Sequence, residues 1–211
     1  MVMEKQSTNE GDDLKWTCPL SSNGNYQVNT LRRKLDSCSS VDIGRFEWVK
    51  EIPIKVSTFI WRAKQERIPT SVALSKRGVN VTSTMCYHCG EVEETSDHML
   101  IQCSYAKTIM KWILKWCNIQ PENFSTVHDT LDYASNWGNC PKKKRRLLGI
   151  FYGTMWSIWK SRNDRVFNNK RLQPTKLMDI IMSTLFIWVK YKGKCDSIRW
   201  SDWCLNPFIG L

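Results

Sequence analysis

The sequence predicts a mainly α-helical protein, with a small N-terminal β-hairpin, helices gathered around a Cys-Cys-His-Cys cluster, and a Trp-rich helical region towards the C-terminal end. Three observations predict it. Beyond Pro53, large apolar residues recur at the spacing of a helix buried along one face. Near the start, short runs alternate between apolar and polar on either side of a Gly-containing turn, which is a hairpin pattern. Three cysteines and a histidine fall close together between residues 86 and 103.

Taken in order, residues 1–11 are polar and read as a disordered leader. Leu14-Lys-Trp16-Thr-Cys18 and Tyr26-Gln-Val28 flank the turn Ser21–Asn25 and form the predicted hairpin. Thr30–Ser37 reads as a short helix and Cys38–Gly44 as a loop. Pro53 opens a helix with Val56, Phe59, Ile60 and Ala63 on its inner stripe, ending near Pro69. Thr70 is the expected N-cap of a second helix carrying Val72, Ala73 and Leu74, with Gly78 just past its end. A helix over Ser104–Cys117 places Tyr105, Ile109, Trp112, Ile113 and Trp116 on one face. Residues 118–140 show little periodicity and read as a linker. Residues 141–211 form the C-terminal helical region: a long helix through about Asn168, then one opening at Pro174 with Leu177, Ile181, Leu185 and Trp188 inside, onto which Trp200–Trp203 docks. Residues 12–117 are thereby set apart as one domain.

The chain has 211 residues, 42% of them hydrophobic and 24% charged, enough to bury a globular core. Eleven tryptophans make that core rich in flat side chains with a polar edge. A net charge of +11 points to a polyanion, with nucleic acid the default partner. Met1–Asp13 is polar and lacks the apolar run of a secretory signal, and no apolar stretch reaches the ~18 residues that span a bilayer. Both features predict an intracellular chain that does not engage a membrane. In a reducing compartment the nine cysteines read as three metal ligands plus free thiols at Cys18, Cys38, Cys117, Cys140, Cys195 and Cys204.

Cys86, Cys89, His98 and Cys103 follow the spacing C-x2-C-x8-H-x4-C, a ligand set for tetrahedral zinc. Gly90 suits the tight turn after Cys89, because it tolerates positive φ. The second pair is more demanding: in an unbroken α-helix, residues five apart lie about 140° apart around the axis and ~7.5 Å along it. His98 and Cys103 could not then share an ion. The spacing therefore predicts that a helix starting near Asp97 breaks around Gln102–Ser104, and that Ser104 caps the next one. Four protein ligands close the coordination shell, which predicts a single structural zinc ion without hydrolytic chemistry. His88, between Cys86 and Cys89, reads as pointing to solvent.

The run Lys142, Lys143, Lys144, Arg145, Arg146 reads as a nuclear import signal, as a phosphate-binding patch, or as a solvated helix start. Five cations oppose the helix dipole at that end, which favours a function. Among the aromatics, Tyr87 within the cysteine turn is the expected base-stacking residue. No P-loop, dinucleotide fingerprint, His-Glu-x-x-His, nucleophile elbow or acidic two-metal constellation occurs, and Gly11-Asp12-Asp13 lacks flanking apolar strands. The sequence makes no case for an enzyme or for a small-molecule substrate.

Trp16, Gly24-Asn-Tyr-Gln-Val28, Phe46-x-Trp48, Ile52-Pro-Ile-Lys-Val-x-x-Phe59-x-Trp61-Arg, Ile68-Pro-Thr70, Leu74-x-x-Arg-Gly78, Cys86-x-x-Cys-Gly90, Glu94-Thr-x-x-His98 and Cys103 stand in the order and spacing of a known family. The chain resembles the zinc-binding domain that follows the reverse transcriptase in plant non-LTR (LINE-type) retrotransposon proteins. Trp156-x-Ile-Trp-Lys-x-Arg-Asn163-x-x-x-Phe167 is similar to the segment that follows that domain. The resemblance implies zinc on Cys86, Cys89, His98 and Cys103 and a role in holding template RNA or target DNA. The chain begins with Met and holds neither polymerase core nor endonuclease, so it reads as a detached C-terminal piece of such a polyprotein, open to a reverse transcriptase supplied in trans. The expected function is nuclear binding of RNA or single-stranded DNA without strong sequence preference. The alternative is a protein-protein interaction or scaffold module in which zinc is purely structural.

Overall fold

Pro53, with an extended backbone (φ −57°, ψ 137°), precedes α1, Ile54–Lys64. The structure is a computed structural model that describes residues 27–30, 33, 46–195 and 197–211. Val56, Phe59, Ile60 and Ala63 are buried along one face of α1, as their spacing predicts. Glu66 at φ +53° stops the helix, with the Arg67 N–H donating back to the Arg62 carbonyl over 2.8 Å. Thr70 then caps α2, Ser71–Lys76, its hydroxyl accepting from the Ala73 N–H. Gly78 takes the left-handed conformation (φ +77°) just past the end of α2.

A five-residue π turn, His98–Gln102, leads into α3, Ser104–Trp116. The inner face of α3 buries Ala106, Ile109, Met110, Ile113, Leu114 and Trp116, whereas Tyr105 and Trp112 are half-buried at its edges. The segment expected as a linker holds a helix, α4, Val127–Asn136. A reciprocal capping box starts it: Thr126 Oγ1 accepts from the Asp129 N–H, and the Asp129 carboxylate accepts from the Thr126 N–H. Val127, Thr130, Leu131 and Ala134 are buried at i, i+3, i+4 and i+7. Two of those four are small or polar, which is why the stripe is faint in the sequence.

The spine is α5, Pro141–Asn168, a 28-residue helix about 42 Å long at 1.5 Å per residue. Every residue from Leu147 to Met155 is buried, so α5 is enclosed on all sides there rather than along one stripe. Two glycines make the enclosure possible. A Cβ on Gly153 would lie 2.5 Å from Leu185 Cδ2, and one on Gly149 would lie 3.3 Å from Ile52. These glycines, which shorten the apolar run in the sequence, serve as contact points between helices. No helix among the described residues is long and apolar enough to cross a membrane.

The chain returns along α6, Pro174–Ile187, burying Leu177, Ile181 and Leu185 against the spine; Trp188 is half-buried and opens a second π turn, Trp188–Lys192. The short α7, Trp200–Leu205, brings Trp203 to complete burial. Trp203 Nε1 donates to the Met182 carbonyl (2.9 Å), and Trp116 Nε1 donates to the Trp203 carbonyl (2.7 Å). Tryptophan can fill a core only when its N–H finds such an acceptor.

Residues 46–211 form one compact unit, and residues 1–45 are assigned to another. The predicted hairpin is not supported. Its last residue, Val28, is helical, and Asn29 Oδ1 accepts from the Thr30 N–H (2.8 Å), a local bond that competes with strand pairing. The remainder of the hairpin, Leu14–Tyr26, lies outside the described residues, as do the leader and most of the expected helix Thr30–Ser37.

Candidate metal centre

The first half of the cluster forms on a tight antiparallel loop. Met85 and Glu93 pair across it, the Cys86 N–H donates to the Val92 carbonyl (2.8 Å), and the Glu94 N–H donates to the Thr84 carbonyl (2.8 Å). At its tip the Gly90 N–H donates to the Cys86 carbonyl (2.8 Å) with Gly90 at φ +76°. A Cβ there would meet nothing within 4 Å, so backbone conformation alone calls for glycine. Cys86 and Cys89 thereby face the same point.

The second half solves the five-residue problem by widening the helix. Thr95 Oγ1 accepts from the His98 N–H (3.0 Å), and the Cys103 N–H donates to the His98 carbonyl (2.7 Å), an i to i+5 bond. The π turn brings residues five apart back over one another, where an α-helix would splay them. Cys103 then turns extended (φ −57°, ψ 139°) and is itself the N-cap of α3. The predicted break is therefore present, but the cap is Cys103 rather than Ser104, because the extended residue is the one whose sulfur turns inward.

The four ligand atoms all lie within 4.8 Å of one another. Cys86 Sγ is 3.8 Å from Cys103 Sγ, and Cys89 Sγ is 3.3 Å from His98 Nε2. A tetrahedron with Zn–S bonds of ~2.3 Å has sulfur-sulfur edges of about 3.8 Å. Burial of Cys86, Cys103 and His98 keeps water from competing. The contact with Cys103, reinforced by burial, raises the Cys86 thiol pKa, and the same contact lowers that of Cys103. A metal ion bound here would take both sulfurs as thiolates and displace their protons. Burial lowers the His98 pKa, which keeps the imidazole neutral and able to ligate. The residues fit zinc.

Residues 25–110 match the family model for zinc-binding in reverse transcriptase. The match includes all four ligands and ends within α3; it covers less than half of the chain. No curated protein and no solved structure matches the chain.

What holds the matched region in place lies partly beyond it. Glu94, fully buried between the two ligand pairs, receives Arg162 of α5: Nη2 donates to Oε1 at 2.6 Å, and Nε reaches both oxygens at 3.1 Å. The Ser71 N–H and hydroxyl donate to the same Oε1 (3.0 and 3.1 Å), and the Tyr87 N–H reaches Oε2 at 3.4 Å. One carboxylate therefore ties the metal loop, the start of α2 and the spine together. Two further bonds dock the π turn on the segment before α4. Asp97 Oδ1 accepts from the Val127 N–H and Gln102 Nε2 donates to the Ser125 carbonyl, both at 2.7 Å.

His88 does not face solvent. It is buried and stacks on Tyr105, ring centroids 4.1 Å apart and nearly parallel at 7°. Burial pushes its pKa down to about 4, and Nε2 has no hydrogen-bond partner among the described residues. An apolar seat on a ring was open to it because the turn holds both neighbouring cysteines inward. Tyr87 is half-buried with the Arg162 guanidinium 5.0 Å above its ring, so one of its two faces is covered.

The basic run occupies the first turns of α5. Lys142 and Arg145 are exposed, Lys143 and Lys144 partly so. Arg146 turns inward: Nη1 donates to the Pro207 carbonyl (2.9 Å), and the guanidinium lies 5.7 Å from the Trp203 ring centre. Its burial lowers its pKa and removes it from the solvent-facing patch. Sequence reasoning missed another set. Lys107, Lys111 and Lys115 are all exposed at i, i+4 and i+8 on α3, the helix that starts at ligand Cys103. Their spacing is visible in the sequence, but nothing local sets it apart from any solvated helix face.

Proposed function

We propose that the protein is a nucleic-acid-binding module stabilised by one structural zinc ion, with no catalysis of its own, acting on RNA or single-stranded DNA in the nucleus. The observation that carries this reading is that ligand Cys103 caps α3, so the metal centre sets the direction of the Lys107, Lys111 and Lys115 stripe. Three ammonium groups about 6 Å apart along a helix match the spacing of phosphates on an extended strand. Such contacts go to the backbone and carry no sequence information. A LINE-type retrotransposon origin, and a reverse transcriptase acting in trans, belong to the same proposal and rest on the motif resemblance. Import through Lys142–Arg146 also belongs to it and rests on the exposure of Lys142 and Arg145.

The test is a mobility-shift titration of zinc-loaded protein against single-stranded RNA over a range of salt. Replacing Lys107, Lys111 and Lys115 by Gln should weaken binding and flatten the slope of log K against log salt by about 2, at ~0.7 per phosphate contact. An unchanged slope removes the stripe from the interface; no binding by the wild-type protein removes the function.

One observation favours the scaffold reading. Ile180, Ile187 and Tyr191 are 44%, 52% and 70% exposed at i, i+7 and i+11 along α6 and its continuation, an apolar stripe on an outer face. If that stripe takes a protein partner, Ile187→Lys with Tyr191→Lys should abolish self-association or partner retention while leaving the RNA titration unchanged.

A further inference from the structure

A cavity of about 340 Å³ opens at the N-terminal end of α5, on a different helix from the α3 lysine stripe. Its volume falls in the range of small-molecule pockets, about 300–1,000 Å³. Lys142, Arg145 and Arg146 enter it from α5 and Lys194 from the segment after α6, whereas Ile52, Ile150 and Val189 give it an apolar floor. Gly149 and Gly193 make the room: a Cβ on Gly193 would lie 3.0 Å from Glu51 Cγ and 2.4 Å from the Val189 carbonyl oxygen. Among the described residues, none of the four cations takes part in an ion pair.

Four cations facing one cavity at a helix N-terminus repel one another and oppose the helix dipole, and an anion placed among them relieves both. Among the described residues, the single acidic side chain on the wall is Glu51. Its Oε2 is a buried oxygen with no hydrogen-bond partner among the described residues, a state that costs stability until something donates to it. Chloride or sulfate cannot donate, and inorganic phosphate, which can, leaves the apolar floor uncovered. An occupant with a phosphate for the cations, a hydroxyl or amino donor for Glu51, and a flat or apolar body for the floor satisfies all three.

We infer that this cavity binds a ribonucleotide: the phosphate on Lys142, Arg145 and Lys194, a ribose hydroxyl donating to Glu51, and the base against Ile52 and Val189. Arg146, already bonded to the Pro207 carbonyl, forms the back wall. The same chemistry is offered by a free nucleoside monophosphate and by the 5′-phosphorylated end of an RNA strand.

The experiment is isothermal titration of the zinc-loaded full chain with AMP, dAMP, adenosine and inorganic phosphate in low salt. AMP should bind saturably and at least tenfold more tightly than adenosine or phosphate, with dAMP weaker than AMP. Lys142→Gln with Lys194→Gln, both exposed positions, should weaken AMP at least tenfold with zinc content and circular dichroism unchanged. Glu51→Gln should narrow the AMP-to-dAMP preference while AMP still binds. AMP binding no tighter than adenosine, or unaffected by the double lysine variant, overturns the pocket. Competition of bound AMP by a 5′-phosphorylated but not a 5′-hydroxyl RNA assigns the site to strand ends, and no competition by either assigns it to the free nucleotide. A chain that binds AMP but shifts no RNA keeps the pocket and loses the function proposed above; salt-dependent RNA binding without saturable AMP binding does the reverse.

Discussion

The metal loop and the C-terminal tail share one core but differ in what fastens them beyond apolar burial. Residues 84–103 bury Met99, Leu100 and Ile101 in the common core, and to that packing they add the four-atom ligand cluster and the buried Glu94–Arg162 pair. The tail from Trp200 onwards is held by aromatic packing, with Trp203 against Trp116 at 5.0 Å and Trp137 on Phe208 at 5.0 Å. Directional polar contacts fail as a set when one member is lost, because each leaves a buried charge or ligand unsatisfied. Aromatic packing fails by degrees, in proportion to the volume removed. The difference teaches that the metal half should behave as a switchable staple and the tail as a graded one.

The largest effect should come from removing the metal. A structural zinc site in small domains contributes about 10–16 kcal/mol, and even half of that would lower the Tm by 10 °C or more in a chain of this size. Treatment with a strong chelator should abolish hydrogen-exchange protection across residues 84–103 while amides in the middle of α5 remain protected. Uniform loss across both regions would erase the distinction between them.

Next comes the buried ion pair. Arg162→Met leaves the Glu94 carboxylate without its counter-charge and should cost about 3–5 kcal/mol in urea unfolding. Combining it with Glu94→Leu should restore most of that, since an apolar pair of similar volume removes both charges. If the double variant is as unstable as the single, Glu94 acts through Ser71 and the loop rather than through Arg162.

Trp203→Phe should cost less, about 2 kcal/mol, by shrinking the ring and leaving the Met182 carbonyl without its donor. Its cost should add to that of Arg162→Met within ~0.5 kcal/mol, because the two residues share no hydrogen-bond partner. Strong coupling would mean that the two halves are not independently fastened. The smallest effect is expected from Thr126→Ala, which removes one half of the capping box of α4 and should cost about 1 kcal/mol with zinc content unchanged.

The legible parts of the fold are those whose signal is local. The stripe of α1, the Thr70 cap and Gly78 stop of α2, and the Pro openings of α5 and α6 are written in residue spacing, and the structure has them where that spacing puts them. The ligand cluster was legible for the same reason, since C-x2-C and a nearby His and Cys cannot be far apart in space. α4 was not, because a stripe of Val, Thr, Leu and Ala needs its neighbours to reveal which side is buried. His88 was misplaced because only the approach of Tyr105, from a helix beginning beyond the last ligand, gives the ring an apolar seat. Arg146 looked like its four neighbours in the run until the Pro207 carbonyl, 61 residues on, took its guanidinium.

By itself the sequence determined the helical periods, the Cys86, Cys89, His98 and Cys103 cluster with its fit to zinc, and the need to break an α-helix between His98 and Cys103. Those follow from bond geometry over a few residues. The tertiary structure decided how that break is made, as a π turn, and what lies beneath it. It paired Glu94 with Arg162 across 68 positions, enclosed α5 through Gly149 and Gly153, and opened a cationic cavity where the basic run meets Lys194. Pairings of that kind depend on which surfaces of distant helices meet, and no local spacing encodes them.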